Sequence, residues 1–218
     1  MVLDPSPQIV LRHEDGLELA ARLWRLRLPM LAVSSAPLGG GLGVRNWVLN
    51  AQVAQGYDCG QPEQHLDALA SAAGLSGPGV GLLTAVDVRT ASTVHHHGID
   101  LDATVGVTLP QWAAAEEGAS RSAAERSPGT INIVAFLPER LSDAALVNAI
   151  GTATEAKTQA LWEAGVPGTG TPTDALCILC PAQGVGHPYG GPRSVWGARL
   201  ARVVHRAVSA GCRSATPS

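Results

Sequence analysis

The chain has 218 residues, a formal net charge of −3 and a pI near 6.1, and this length is enough for one domain with a continuous hydrophobic core. Its 45% hydrophobic and 15% charged residues are typical of a globular protein and unlike a disordered one. The negative net charge gives no electrostatic reason to expect nucleic acid or an anionic membrane as a partner. These properties favour a small-molecule ligand.

Residues 1–16 lack the basic segment and apolar run of a secretory signal, and no stretch of about 18 uninterrupted apolar residues occurs in the sequence. We therefore expect a cytoplasmic protein without a membrane segment. In that compartment cysteines are thiols more often than disulfides. The four cysteines expected to be thiols are Cys59, Cys177, Cys180 and Cys212.

The first part of the chain is predicted to be rich in strands. Residues 8–28 alternate in hydropathy on both sides of the polar turn 14–16, which predicts a β-hairpin. A short apolar run at 30–33 predicts another strand, and a glycine-rich loop at 39–43 connects it to an extended segment at 46–53.

A helix and three buried strands are predicted next. Residues 62–73 favour a helix because Pro62 suits a first turn and Gly74 suits a helix end. Three β-rich apolar runs bounded by Gly or Pro predict central strands. These runs are 79–88, 103–108 and 130–137. The small and polar stretch 113–128 predicts a mobile loop.

The C-terminal part is predicted to contain two helices and one strand. Ser142 can cap a long helix that ends near Gly165, and residues 173–180 predict a strand. Residues 193–210 predict an amphipathic helix, followed by a flexible tail at 211–218. Because no repeat or linker divides the chain, we expect a single α+β domain over residues 1–218, with helices packed on a mostly antiparallel or mixed sheet.

Two motifs have residue types that bind metals, but their spacing argues against a metal site. The three consecutive histidines 95–97 alternate faces if they lie in a strand, so they cannot easily reach one ion. Cys177 and Cys180 have zinc or redox spacing, yet they lie in an apolar strand that puts the two thiols on opposite faces. Buried structural cysteines are the favoured interpretation.

The glycine-rich loop and the segment 190–194 are both candidates for anion binding. Gly39, Gly40 and Gly41 can present backbone N–H groups to an oxyanion, since glycine allows close approach of a ligand. The same loop is equally compatible with a tight connection between strands. Residues 190–194 lead into a helix, and a helix N-terminus favours anions. Gly-Pro is also common before helices that bind no anion, so a purely structural role is the alternative.

Residues 151–175 carry the densest set of reactive side chains. Glu155 and Lys157, the only lysine of the chain, are followed by the hydroxyl-bearing loop 168–171 and by Asp174. A lysine in a cleft can polarise a carbonyl group, and a carboxylate can transfer protons. A solvated helix face is the alternative interpretation, and the residues alone leave both open.

Seven segments, in order over residues 31–208, resemble the adenosylcobinamide amidohydrolase family. They are SSAPLGGGLG, NWVLNAQV, GVGLLTAVDV, PGTINIVAFLP, ALVNAIGTATEAKTQAL, GTGTPTDA and YGGPRSVWGARLARVVH. The resemblance implies a hydrolase of corrinoid salvage in cobalamin (vitamin B12) biosynthesis. Such an enzyme cleaves the aminopropanol amide of adenosylcobinamide and yields adenosylcobyric acid and aminopropanol.

Amide hydrolysis needs an activated water or hydroxyl, an oxyanion stabiliser and an acid for the departing amine. We expect Lys157 or the 39–43 loop to stabilise the oxyanion, and Glu155 or Asp174 to transfer protons. The candidate nucleophiles are Ser34, Ser35, Thr169 and Thr171. The candidate substrate contacts are Ser34, Gly39, Gly40, Gly41, Asn50, Asn132, Asn148, Trp47 and Trp196. The corrinoid is the substrate, no cofactor is implied, and the metal requirement stays open.

Two alternatives remain from the sequence. One is a hydrolase of the same fold that acts on a different amide, and the other is a non-catalytic corrinoid-binding module. Neutral substitutions at Lys157, Glu155 and Asp174 distinguish them, because a binding module does not need that chemistry. We expect no nucleic-acid or membrane partner, and the sequence leaves a homo-oligomer open.

Overall fold

The computed structural model describes residues 6–116 and 129–215. Within them the strands are β1 (Gln8–Glu14), β2 (Leu17–Ser34), β3 (Gly41–Gln52), β4 (Gly79–Thr84), β5 (Ser92–His96), β6 (Ile99–Val105), β7 (Ile131–Phe136) and β8 (Ala175–Pro181). The helices are α1 (Pro62–Ala72), α2 (Asp143–Glu163) and α3 (Val195–Ala215), with a 3-10 turn at Val88–Thr90. The α+β prediction is confirmed. The part of the predicted mobile loop at 117–128 lies outside the described residues.

The strands form one mixed sheet in the order β4-β3-β2-β8-β7-β6-β5, and β1 pairs with the free side of β2. The pairs β3–β4 and β7–β8 are parallel, and the other pairs are antiparallel. β4 lies at an edge of the sheet, so the prediction of a central strand there is wrong. Its run is apolar because both of its faces are covered, since Val80 and Leu82 lie in a buried cluster and Gly81 lies against Leu66 of α1.

The sheet folds over on itself and encloses a hydrophobic layer between strands. Leu82 of β4 and Phe136 of β7 belong to the same buried cluster, although three strands separate β4 from β7 in the sheet. Trp24 of β2 lies in this cluster with its ring centroid 6.1 Å from that of Phe136. Strands from the two ends of the sheet therefore face each other across this interior layer.

Helices cover the two outer faces of the folded sheet. α2 and α3 pack on the face formed by β2, β6, β7 and β8, in a cluster that includes Leu146 and Leu200. α1 packs on the face formed by β2 and β3, where Leu66 contacts a cluster with Leu23 and Leu49. The order of layers is thus helices, strands, strands and helix.

The predicted helices are confirmed, and α3 is longer than expected. Ser142 caps α2 by accepting a hydrogen bond from the Ala145 backbone N–H at 3.2 Å. α3 continues to Ala215, and Cys212 is buried in the α2–α3 cluster, so residues 211–215 belong to the helix and not to a tail. Residues 216–218 lie outside the described part of the chain. No described helix is long and apolar enough to cross a membrane.

Two features of the sheet were not predicted. β2 is one strand of 18 residues with an irregularity in its pairing between Arg25 and Met30, where the sequence indicated two strands. The hairpin of β5 and β6 was also missed, because its turn is formed by His97 and Gly98. Both residues have positive φ, and a histidine is an uncommon signal for such a turn.

We expect Leu82→Ala to lower the free energy of unfolding by about 2–5 kcal/mol, because it leaves a cavity in the enclosed layer. Leu28→Ala is the matched control, since Leu28 is 58% exposed and its truncation should change stability by no more than about 0.5 kcal/mol. Urea unfolding followed by circular dichroism measures both. Equal losses in the two variants would contradict a buried layer between β4 and β7.

Candidate active-site cleft

A cleft of about 470 Å³ opens where the C-terminal ends of β2, β3 and β4 approach the N-terminal ends of β7 and β8. This volume is in the range of small-molecule sites. The lining residues come from five segments. They are Ser35 and Pro37, 53–62 in part, 83–85, Thr130 with Asn132, and 172–175. These segments belong to strands that are far apart in the sheet order, so the cleft forms only because the sheet folds over on itself.

Lys157 and Asp174 form a buried ion pair at the 172–175 wall. Lys157 Nζ donates a hydrogen bond to Asp174 Oδ2, and the two side chains are only 7% and 8% exposed. Lys157 comes from the middle of α2, and Asp174 directly precedes β8. The structure therefore brings together two of the predicted catalytic residues, and Asp174 itself lines the cleft.

The carboxylate of Asp174 has every lone-pair position occupied. Besides Lys157, its oxygens accept hydrogen bonds from the Ile131 N–H at 2.9 Å, the Thr171 N–H at 3.1 Å and the Thr171 hydroxyl at 2.5 Å. A carboxylate offers about four such positions. Asp174 therefore holds the loop before β8, the start of β7 and the lysine in one arrangement.

The 168–171 loop is fixed around Lys157. A Cβ atom at Gly170 would lie 2.5 Å from both Lys157 Nζ and Asp174 Oδ2, so a side chain there would displace the ion pair. The Thr169 hydroxyl accepts a hydrogen bond from the Ala113 N–H at 2.9 Å and donates to the Gln111 carbonyl at 3.3 Å. The predicted nucleophiles Thr169 and Thr171 are thus both engaged in holding this loop.

Two buried asparagines meet beside the cleft. Asn132 Nδ2 donates to Asn50 Oδ1 at 2.9 Å and to the Leu83 carbonyl at 2.8 Å, and Asn50 Nδ2 donates to Thr104 Oγ1 at 3.3 Å. A carbonyl can only accept, which fixes the orientation of the Asn132 amide. Asn132 Oδ1 then has no partner among the described residues. An unpaired buried acceptor costs about 1–3 kcal/mol, which makes it a candidate contact for a donor in the cleft.

The two adjacent serines differ in environment. Ser34 is buried, and its hydroxyl donates to the Leu176 carbonyl at 2.8 Å and accepts from the Ala36 N–H at 3.1 Å. Ser35 is exposed at the cleft, and its Oγ accepts from the Leu176 N–H at 3.1 Å. Ser35 is therefore the hydroxyl that a ligand can reach.

Comparison with known proteins assigns the chain to a family. Residues 8–218 match the family described as adenosylcobinamide amidohydrolase. The chain is 31% identical over 186 residues to the adenosylcobinamide amidohydrolase of Methanosarcina mazei, in an alignment that covers 81% of this chain and 88% of that protein. A second relative of the same name, from Halobacterium salinarum, is 36% identical over 132 residues, or 59% of this chain and 56% of that protein.

The chain belongs to the adenosylcobinamide amidohydrolase family. This membership confirms the resemblance that the seven sequence segments indicated. Several of those segments form the cleft directly, since Ser35 and Pro37 come from SSAPLGGGLG and residues 172–175 come from GTGTPTDA.

In this family member the glycine-rich loop is a tight connection between β2 and β3. Gly39 has a positive φ of 67°, and a Cβ there would lie 1.8 Å from the Gly79 carbonyl oxygen. The Arg45 guanidinium donates to the Gly39 carbonyl at 2.9 Å and to the Gly40 carbonyl at 3.4 Å. Gly41 also has a positive φ, of 81°. These contacts favour the connecting role over the anion-binding role, although Pro37 at the start of the loop borders the cleft.

Of the fifteen predicted site residues, Ser35, Asn132 and Asp174 line the cleft, and the other twelve, Lys157 among them, do not. Within the described part of the chain, four of these twelve form no hydrogen bond or ion pair with the Lys157–Asp174 pair, the asparagine pair or the glycine-rich loop. Glu155 is exposed on the face of α2 opposite the buried Lys157, and Asn148 is exposed near the start of the same helix. Trp47 is buried under α1, and its Nε1 donates to the Gly77 carbonyl at 3.2 Å. Trp196 is buried between α2 and α3, with the Arg199 guanidinium 4.6 Å from its ring.

The cleft residues of the β3–α1 segment were not predicted from the sequence. Tyr57 and Cys59 line the cleft, and Tyr57 hydrogen-bonds His65 at 2.7 Å. Thr84, Thr130 and Thr173 line it as well. The scarcity of tyrosine, with two in the chain, was the one available signal for Tyr57.

The structure shows where the side chains of the two motifs with metal-binding residue types lie. Cys177 lies in the interior layer and Cys180 in the α2–α3 cluster, so the prediction of opposite faces is confirmed. His95 and His96 lie in β5, whereas His97 lies in the following turn. In the ranges 6–116 and 129–215 no three His, Cys, Asp or Glu side chains are arranged to hold a metal ion.

We expect a thiol reagent to modify Cys59 alone in the folded protein, because Cys59 is exposed and the other three cysteines are buried. Burial also raises the pKa of the Cys177 thiol to about 12, so that it stays protonated and unreactive at mildly alkaline pH. Ellman's reagent should therefore titrate one thiol per native chain and none in Cys59→Ser. Rapid reaction of a second thiol before unfolding would contradict this arrangement.

Proposed function

We propose that this chain hydrolyses the aminopropanol amide of adenosylcobinamide in the cleft and releases adenosylcobyric acid and aminopropanol. The observation that carries the proposal is the buried Lys157–Asp174 pair of a family member, in which Asp174 lines the cleft and Lys157 lies directly behind it. Buried charges are costly unless they are paired, and their presence beside a cleft is typical of a functional site.

The size of the cleft suits one arm of the substrate. A volume of about 470 Å³ accommodates a short amide arm, whereas the corrin macrocycle with its adenosyl group is much larger. The macrocycle then lies at the mouth of the cleft, and the scissile amide reaches the polar wall. Asn132 lines the cleft, and we assign its buried Oδ1, which has no partner among the described residues, to accept a hydrogen bond from an N–H group of this arm or from a bridging water.

Lys157 is the group proposed to stabilise the oxyanion. Its ammonium group has three donors, of which one is used by Asp174. A positive charge held by a buried carboxylate is oriented before the reaction, which is the condition for strong electrostatic stabilisation. Because the lone pairs of Asp174 are fully used, we assign it the role of positioning Lys157, and not that of a proton carrier.

The contacts of Ser35 argue against an acyl-enzyme, and the proposed route is direct attack by a water molecule that releases its proton to solvent. An acyl-enzyme formed on Ser35 needs a base that accepts its hydroxyl proton. Ser35 Oγ is held by the Leu176 N–H, and its hydroxyl has no acceptor among the described residues. Substitution of Ser35 by Ala should consequently reduce turnover modestly, and a covalent intermediate should not accumulate.

We expect Lys157→Met to lower kcat/KM by at least about 10²-fold, because the oxyanion loses a preorganised charge. Glu155→Gln, on the exposed face of the same helix, should keep near-normal activity and serves as the matched comparison. Because the substitution leaves Asp174 without its cation, urea unfolding is measured for both variants. A folded Lys157→Met enzyme with near-normal kcat would remove Lys157 from the mechanism.

The proposed activity is tested by incubating EDTA-treated protein with adenosylcobinamide and detecting adenosylcobyric acid and aminopropanol by mass spectrometry. Formation of both products supports the amidohydrolase, and a requirement for added divalent metal would make metal-activated water the leading route. If neither product forms while adenosylcobinamide still protects Cys59 from modification, the chain is a corrinoid-binding module.

Cytoplasmic location and the absence of nucleic-acid and membrane partners belong to the same proposal as predictions, and a homo-oligomer is compatible with it. A metabolic enzyme with a small corrinoid substrate needs no macromolecular partner for the reaction itself. Size-exclusion chromatography with light scattering measures the oligomeric state.

A further inference from the structure

The side chains of Tyr57, His65 and Glu14 form a hydrogen-bonded series that leads away from the cleft. Tyr57, which lines the cleft, hydrogen-bonds His65 Nδ1 through its hydroxyl at 2.7 Å. His65 Nε2 lies 3.1 Å from Glu14 Oε1, and the other oxygen of Glu14 accepts from Arg12 Nε at 3.0 Å. Three elements, β1, the loop after β3 and the first turn of α1, supply these side chains.

The hydrogen-bond partners determine where the protons lie. Glu14 can only accept, so His65 Nε2 carries a proton in either state of the ring. In neutral His65, Nδ1 accepts from the Tyr57 hydroxyl. When His65 is protonated, Nδ1–H donates to the phenol oxygen instead, and the Tyr57 O–H becomes available to a group in the cleft.

Tyr57 keeps its proton throughout the physiological range, and it can give that proton to a group in the cleft only while His65 supplies another to the phenol oxygen. Burial raises the pKa of its phenol above the ordinary value, and a hydrogen bond with Cys59 acts in the same direction. The phenol is therefore neutral throughout the physiological range. His65 and Glu14 are 18% and 26% exposed, which allows the outer end of the chain to exchange protons with water.

The proposed reaction needs such a donor. An amine leaves a tetrahedral intermediate only when its nitrogen is protonated, and Asp174 has no unoccupied lone pair with which to carry that proton. Lys157 is required in its charged form if it stabilises the oxyanion. The other titratable side chains that line the cleft are Tyr57, Asp58 and Cys59, and of these Tyr57 is the one that hydrogen-bonds a histidine.

We infer that Tyr57 is the general acid for the departing amine, with His65 supplying the proton and Glu14 positioning the His65 ring. This inference rests on the proposed function. As the carbon–nitrogen bond breaks, nitrogen retains the electron pair and takes the Tyr57 hydroxyl proton. The phenol oxygen takes the Nδ1 proton of His65, imidazolium becomes imidazole, Glu14 stays a carboxylate, and water reprotonates the ring after product release.

We expect Tyr57→Phe to lower kcat by at least about 10²-fold with little change in KM, since the phenyl ring keeps the shape of the wall. Tyr189→Phe removes the same hydroxyl at a position that is 73% exposed, and it should leave kcat unchanged. Steady-state kinetics with adenosylcobinamide measures both. A Tyr57→Phe enzyme with near-normal kcat would overturn the inference.

A substrate with a less basic leaving amine separates acid catalysis from a structural role. In an analogue with a trifluoromethyl group in place of the aminopropanol methyl group, the amine needs less protonation to leave. The deficit of Tyr57→Phe should shrink by about tenfold or more with this analogue. A deficit that is the same with both substrates would show that the variant merely distorts the cleft.

Non-additivity tests the connection to His65. If the two residues act as one relay, Tyr57→Phe/His65→Gln should be no slower than Tyr57→Phe alone, whereas independent roles would multiply the losses. Failure of the relay is distinguishable from failure of the proposed function. If only the relay is wrong, the wild-type protein still forms aminopropanol, and the Lys157→Met variant does not. If wild-type protein forms none, the function itself is wrong.

Discussion

The pairing of β2 is the constraint on which the rest of the structure depends. Its first half pairs with β1 and its second half with β8, while β3 pairs with both halves. Because side chains alternate along a strand, Met30 and Ala32 face the interior layer, and Leu31 and Val33 face α2 and α3. A register shift of one residue would exchange these faces. β2 thus carries the chain from one strand layer to the other, and the cleft lies where the ends of the two layers meet.

Buried polar contacts connect the layers where hydrophobic packing alone would not define their alignment. Arg22 of β2 donates to Asp102 of β6 at 2.6 Å, and Asn132 of β7 reaches Asn50 of β3 and the carbonyl of Leu83. Burial raises the pKa of Asp102, so this charged pair is expensive to bury. We interpret these contacts as selecting one alignment of the folded sheet and not as a large source of stability. The same alignment determines the shape of the cleft.

The sequence was sufficient for features that depend on local chemistry. Helix α2 begins where Ser142 can cap it, and the first hairpin turns at Asp15 and Gly16, which both have positive φ. The continuity of β2 and the edge position of β4 were not predictable, because an apolar run indicates burial but not which elements cause it. The interaction of His65 with Glu14 likewise depends on how β1 lies against α1. For the candidate site, residue type singled out Lys157 and Asp174, which the structure pairs. Glu155 was grouped with them by sequence proximity, but it lies on the exposed face of α2, because neighbours two residues apart on a helix point in different directions.

The division of the cleft between two layers has a consequence for its chemistry. Lys157 and Asp174 are held by α2 and the start of β8, whereas Tyr57 and His65 are held by the segment between β3 and α1. The hydrogen bond of Asn132 with the Leu83 carbonyl joins β7 to β4 beside the cleft, and thereby links the two strand layers that carry these parts. The separation of the proposed oxyanion stabiliser from the proposed acid is therefore set by how the sheet folds over, and no single element fixes it. The geometry of the candidate site is then a property of tertiary structure, in which buried contacts between strands, such as that of Asn50 with Asn132, align the residues that line the cleft.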